Sequence, residues 1–199
     1  TEYKNSTTVF ENINFETADQ STFTGDAFIY CNEQTGNTRY PDNVTIKNCS
    51  FTATGAAEKL TVGAKFRSIN GNFVVENCSA TGMHSLAQLL SCGKAVATFD
   101  SVTIANSKNG ISLEKTGKTT ISNSDISTDA YGVRADGCVS NTSIVKSTIT
   151  AKQPVIVRKM SVDGFVLNVD DASVFATTST DPYVVVFTTG NDDEAYVAP

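Results

Sequence analysis

Ile121-Ser122-Asn123-Ser124-Asp125-Ile126 is the stretch that decides the fold, because its frame returns along the whole chain. The frame recurs at residues 10–15 (FENINF), 46–51 (IKNCSF), 75–80 (VENCSA), 99–104 (FDSVTI), 144–149 (IVKSTI) and, more weakly, 167–172 (LNVDDA). Its first apolar residues stand at 10, 46, 75, 99, 121, 144 and 167, so the steps are 36, 29, 24, 22, 23 and 23. A period settling near 23 is an internal repeat.

Each frame has an apolar residue, an Asn or small polar residue two places on, a small residue, and a further apolar residue. Alternation on both sides of one break is the pattern of two short strands joined by a sharp bend. Asn suits the bend because it tolerates left-handed backbone better than other residues with a Cβ. Asn12, Asn48, Asn77 and Asn123 are therefore expected to stack as corner residues. About 23 extended residues at ~3.3 Å each make a loop roughly 75 Å around, and such loops stack at about 4.8 Å per turn. The expected fold is all-β: one right-handed parallel β-helix of about seven coils, with handedness taken from the general preference of parallel crossovers.

The stacked Asn frame resembles the right-handed β-helices of the pectate-lyase-like superfamily, and the degenerate coils of secreted surface proteins of gut bacteria. The resemblance covers most of the chain and concerns repeat and fold; the frame itself is no catalytic signature. It implies a bacterial protein, secreted or displayed at the cell surface, and an Asn ladder between the second and third strands of each coil. In the enzymes of that superfamily, the first sheet of the helix carries acidic residues that bind calcium and an arginine that serves as base.

Composition agrees with a strand-rich solenoid. Of the 199 residues 18% are charged and 40% hydrophobic, Trp is absent, and no long stretch keeps helical spacing. One array spanning 1–199 has no internal boundary, and it reads as a piece of a longer secreted chain. A net charge of -6 and the lack of a basic run argue against nucleic acid. No segment has enough consecutive apolar residues to span a bilayer.

Between the frames runs a second family of strands at 62–67, 86–90, 111–114, 133–136, 155–158 and 184–187. Aligned, they turn Ala64 and Phe66, Ala87 and Leu89, Ile111 and Leu113, Val133 and Ala135, and Val155 and Val157 inward. One outward row reads Lys65, Gln88, Ser112, Arg134, Ile156, and the next reads Arg67, Leu90, Glu114, Asp136, Arg158. This outward sheet is where chemistry is expected. Glu114 and Asp136 are neighbours on successive coils, with Arg134 and Arg158 beside them, and in a lyase they would be the catalytic and calcium-binding group. The same charges, Asp136 beside Arg158 above all, are also ordinary cross-strand pairs of a solvated sheet. The superfamily's acidic trio is incomplete, because Leu90 and Arg158 occupy the flanking positions.

For ligand binding the candidates are Tyr30, Tyr40 and Tyr131, which can stack on sugar rings, with Lys65, Arg67 and Gln88 on the outward rows. Long loops at 19–25 and 32–43 supply further surface. The only histidine, His84, sits at a turn. The five cysteines, Cys31, Cys49, Cys78, Cys92 and Cys138, have no zinc spacing, and Cys49 and Cys78 share one frame position as small buried thiols. A disulfide between those two would need geometry that neighbouring parallel strands seldom provide.

The pattern fades from about residue 163, and an acidic stretch at 191–194 would discourage stacking of chain upon chain, although an open coil end invites oligomer contacts. The first expectation is a non-catalytic, adhesin-like β-helix that binds a polysaccharide or a cell-surface glycan, with no cofactor. The alternatives are a polysaccharide lyase or glycoside hydrolase acting on an acidic polysaccharide, with calcium if a lyase, and a structural spacer.

Overall fold

The computed structural model describes residues 6–23, 25–31, 42–55, 59–158, 165–181 and 183–188. Among them the chain is all-β, with one short 3-10 turn at Gln20–Thr22 and no α-helix. No helix of the described residues is long and apolar enough to cross a membrane.

Numbered in chain order, the first face stacks β1 (Thr7–Glu11), β4 (Asn43–Lys47), β7 (Asn72–Glu76), β10 (Val96–Asp100), β12 (Thr119–Ser122), β14 (Thr142–Val145) and β17 (Leu167–Val169). The second face stacks β2 (Asn14–Thr17), β5 (Ser50–Ala53), β8 (Ser79–Thr81), β11 (Thr103–Glu114), β13 (Asp125–Asp136), β15 (Thr148–Ala151) and β18 (Val174–Thr177). The third contains β3 (Ala27–Cys31), β6 (Val62–Arg67), β9 (Ser85–Leu90), the later halves of β11 and β13, β16 (Gln153–Arg158) and β19 (Val185–Thr188). Every pairing between them is parallel, so successive coils lie one on the next in a solenoid-like stack.

Period-two alternation builds the core. The first-face row Ile46, Val75, Phe99, Ile121, Ile144 and the second-face row Phe51, Ala80, Ile104, Ile126, Ile149 are all buried to 1% exposure or less. The inward residues expected on the third face, from Ala64 and Phe66 to Val155 and Val157, are buried as well. Phe15 stacks on Phe51 with ring centroids 4.9 Å apart.

Asn12, Asn48, Asn77 and Asn123 adopt φ of 57°, 53°, 52° and 50°, so the corner row forms as the frame requires. Each corner N–H donates to the coil above, Asn48 N to Glu76 O at 3.0 Å for instance, and Asn48 Nδ2 donates to Asn12 Oδ1 at 3.1 Å. Where the frame lacks Asn, Ser101 and Lys146 take the same conformation, at φ 55° and 48°.

A second left-handed corner closes the third face at Ser68, Ser91, Lys115 and Gly137, with φ of 61°, 54°, 47° and 58°. At six of these corners the next residue is small, buried and bonded back. Cys49, Cys78, Cys92, Ser124, Ser147 and Thr116 each donate to the carbonyl two residues earlier, as in Cys78 Sγ to Glu76 O at 3.2 Å and Ser124 Oγ to Ser122 O at 2.7 Å. Cysteine therefore stands here in a slot that serine and threonine also fill. All five cysteines are free, and only Cys31 is partly exposed.

The last frame is shifted from its expected register. Val169, not Leu167, pairs with Ile144, and Thr148 pairs with Val174, so one extra residue sits in the corner between them. The turn is closed by Ser173 N to Asp170 O at 3.2 Å and by Ser173 Oγ to Asp170 Oδ1 at 2.6 Å. The loop that begins at Asp19 is pinned by Gln20, which is 2% exposed, donates to Gly82 O at 2.9 Å and accepts from Leu60 N at 2.9 Å.

Candidate functional site

The third face carries the site, and its floor is the aligned outward rows. Lys65, Gln88, Ser112, Arg134 and Ile156 lie in register, as do Arg67, Leu90, Glu114, Asp136 and Arg158. At the bend from the second face, Gly110 and Gly132 stack where nothing larger fits. A Cβ on Gly110 would lie 2.1 Å from Gly132 O, and one on Gly132 would lie 2.2 Å from Ile149 Cγ2. This tight bend raises a wall beside the floor.

Between wall and floor lies an open groove of about 690 Å³. Gln88, Ser112, Glu114, Arg134, Asp136 and Ile156 line the floor, while His84, Lys108, Asn109, Ala130, Tyr131, Lys152 and Gln153 line the wall. Of the residues expected from sequence, the groove gathers Gln88, Glu114, Tyr131, Arg134 and Asp136. Lys65 and Tyr30 stand on earlier coils outside it, with Lys65 Nζ 5.7 Å from the Tyr30 ring centre and 3.3 Å from Asp26 Oδ2. Arg67 also lies outside the groove lining, and Tyr40 and most of the 32–43 loop fall outside the described residues.

The charge pair is not the solvated cross-strand contact that the alternation suggests. Asp136 Oδ2 accepts Arg158 Nε at 2.8 Å and Arg134 Nη2 at 3.1 Å. Asp136 is 9% exposed and Arg158 6%, although register puts both on the outward rows. Burial pushes the Asp136 carboxyl up, but the hydrogen bonds and charges of Arg158 and Arg134 outweigh it and hold the group below the ordinary carboxylate range. Arg134 also lies over the Tyr131 ring, 5.8 Å from its centre. Glu114, the Cα partner of Asp136, makes no salt bridge among the described residues. The two carboxylates do not fit a calcium ion, because two guanidinium groups already occupy the Asp136 oxygen and oppose a cation there. Among the described residues no group of three His, Cys, Asp or Glu could hold a metal.

At the wall, His84 Nδ1 lies 3.4 Å from Gln88 Nε2 and His84 Nε2 lies 3.5 Å from Asn109 Nδ2. Burial first, then the charges of Lys108 and Lys65, hold the imidazole below its usual pKa. Lys108 and Lys152 make no salt bridge among the described residues.

No family model, curated protein or solved structure matches the chain. The groove therefore stands on its own geometry.

Of the wall residues the sequence reading names only Tyr131 as a binding candidate, yet the signal for the rest is present. Asn109, Tyr131 and Gln153 pair in register two residues before Ile111, Val133 and Val155. Lys108, Ala130 and Lys152 precede them, and His84 holds the equivalent place before Ala87. Extending the third-face alignment three residues backward finds every wall residue.

Proposed function

We propose that this chain is a right-handed β-helix of the pectate-lyase-like kind that binds a glycan in the third-face groove without cleaving it. The observation that carries this is the groove lining: the Tyr131 ring, the amides of Gln88, Asn109 and Gln153, the Ser112 hydroxyl, and Lys108 and Lys152, which make no salt bridge among the described residues. Such a surface offers an aromatic face and many hydrogen-bonding groups to a hydroxyl-rich chain. The arginines favour binding over elimination. Arg134 and Arg158 both donate to Asp136 Oδ2, so the groove's guanidinium groups are engaged with that carboxylate rather than with a substrate carbon acid. Display at or outside a bacterial surface belongs to the same proposal and rests on the resemblance of the Asn frame.

Affinity electrophoresis through gels containing neutral or acidic polysaccharides tests the reading, paired with ultraviolet absorbance for unsaturated uronates with and without calcium. The expected result is retardation by at least one polysaccharide, weakened roughly tenfold, about 1.4 kcal/mol, in Tyr131→Ala, with a flat absorbance trace. A calcium-dependent rise in absorbance overturns it in favour of a lyase, and no retardation by any gel favours a spacer.

A further inference from the structure

We propose, on the glycan-binding reading of the groove, that its His84 end is an anion subsite, which takes a carboxylate or sulfate group of the glycan together with a proton on His84. Two main-chain bonds build this end across one coil step. Lys108 N donates to Met83 O at 2.9 Å, and Asn109 N donates to His84 O at 2.8 Å. They set Lys108 and Asn109 beside the imidazole. The register of β6 with β9 sets Lys65 beside Gln88, whose amide reaches His84 Nδ1.

Like charge gathers around the ring. Lys65 faces it from β6 and Lys108 from β11, while β9 carries no titratable side chain of its own and the carboxylates of the lining, Glu114 and Asp136, stand on the floor. Lys65 is held by Asp26 at 3.3 Å, whereas Lys108 is exposed and makes no salt bridge among the described residues. Two cations around a half-buried imidazole keep its proton off. An anion lying between Lys108 and the ring reverses that balance, so it binds the protonated ring more strongly than the neutral one.

The polar groups around the ring fit both protonation states. Neutral imidazole has one N–H and one lone pair, whereas imidazolium donates at both nitrogens. Asn109 lines the groove at 4% exposure, and its Oδ1 has no hydrogen-bond partner. A half-turn of that amide sets Oδ1 against His84 Nε2, which now faces Nδ2 at 3.5 Å, and gives the imidazolium an acceptor. Ser85 Oγ, 3.4 Å from Nδ1, accepts on the other side. The ring's charge and Lys108 then hold the anion together. Because the anion-bound ring has the higher pKa, affinity rises as pH falls through that value and levels off below the pKa of the free ring.

His84 is the only histidine, so one imidazole signal in the proton NMR spectrum reports its titration. Titrations in sodium sulfate and in sodium chloride of equal ionic strength test the subsite. The midpoint should be higher in sulfate for wild type and for Lys118→Ala, which lies outside the groove lining, and should not differ between the salts in Lys108→Ala. Isothermal titration with dextran sulfate, set against plain dextran, tests whether the anion arrives on a glycan. Dextran sulfate should bind at least about threefold more tightly at pH 5 than at pH 8, with the gain absent for plain dextran and lost in His84→Gln. Equal midpoints in the two salts, or a difference that survives Lys108→Ala, would overturn the subsite. Dextran sulfate bound equally at both pH values would overturn it while leaving glycan binding in place. A sulfate shift without binding of dextran sulfate would overturn the glycan as the source of the anion.

Discussion

Arg158 Nε donates to Asp136 Oδ2 over 2.8 Å across a single coil step, inside a contact that leaves Arg158 6% exposed. A buried charge with its partner removed costs more than the pair contributes, so Asp136→Asn should lower stability in urea by about 3 kcal/mol. Replacing both partners, Asp136→Leu with Arg158→Met, should recover most of that loss. Equal losses in the single and double variants would show that the pair is not what holds this coil. The depressed Asp136 pKa has a definite sign: its stabilising effect is present above the unfolded value of 3.8 and is lost as pH falls through the lower folded value.

Lys146 and Lys115 sit at φ 48° and 47°, where a side chain with a Cβ is strained and neighbouring coils use Asn123 and Gly137. Lys146→Asn and Lys115→Gly should each stabilise the chain by about 1 kcal/mol, read as a higher urea midpoint with unchanged slope. The Lys146 main-chain bond to Asp170 Oδ1, 2.9 Å long, survives the first change. A lower midpoint in both variants would contradict left-handed strain at these corners.

Burial pushes the Cys78 and Cys138 thiols up to about 11 and raises Cys92 as well. Iodoacetamide at mildly alkaline pH should therefore label at most Cys31 in the folded protein and all five thiols in urea, as counted by intact mass. Cys78→Ser keeps a donor for the Glu76 carbonyl and should fold, whereas Cys78→Leu overfills the slot and should cost about 2 kcal/mol. Rapid native labelling of Cys78 would mean that this corner opens.

His84 has a folded pKa below its ordinary 6.5, set by burial and by the charges of Lys108 and Lys65. The folded chain resists a proton that the unfolded chain accepts, so stability is intact above 6.5 and declines as pH drops from there toward the folded pKa. Urea midpoints between pH 8 and pH 5 should fall with acid in wild type and fall less in His84→Gln. The same slope in both proteins would place the proton elsewhere.

The repeat made most of the architecture legible. Asn at the first corner announces left-handed backbone, and two-residue alternation fixes which side chains of β6, β9, β11, β13 and β16 turn inward. The second corner was hidden because Ser68, Ser91, Lys115 and Gly137 share no residue type, and geometry rather than composition defines it. Val169 was misplaced because one residue is inserted at the Asp170 turn, which a fixed period cannot register. The burial of Asp136 and Arg158 was also out of reach, since alternation reports the facing of a side chain and not how deeply it is covered.

Glycan binding by the groove is tested most directly by isothermal titration of two charge-matched double variants with the polysaccharide that retards wild type most strongly. Lys108→Ala/Lys152→Ala alters the groove wall, while Lys47→Ala/Lys118→Ala removes the same charge elsewhere on the stack. Binding in the groove requires that the first pair weaken affinity at least tenfold and that the second leave it within about twofold of wild type. Equal affinity in both double variants would contradict the assignment of the third-face groove as the binding site.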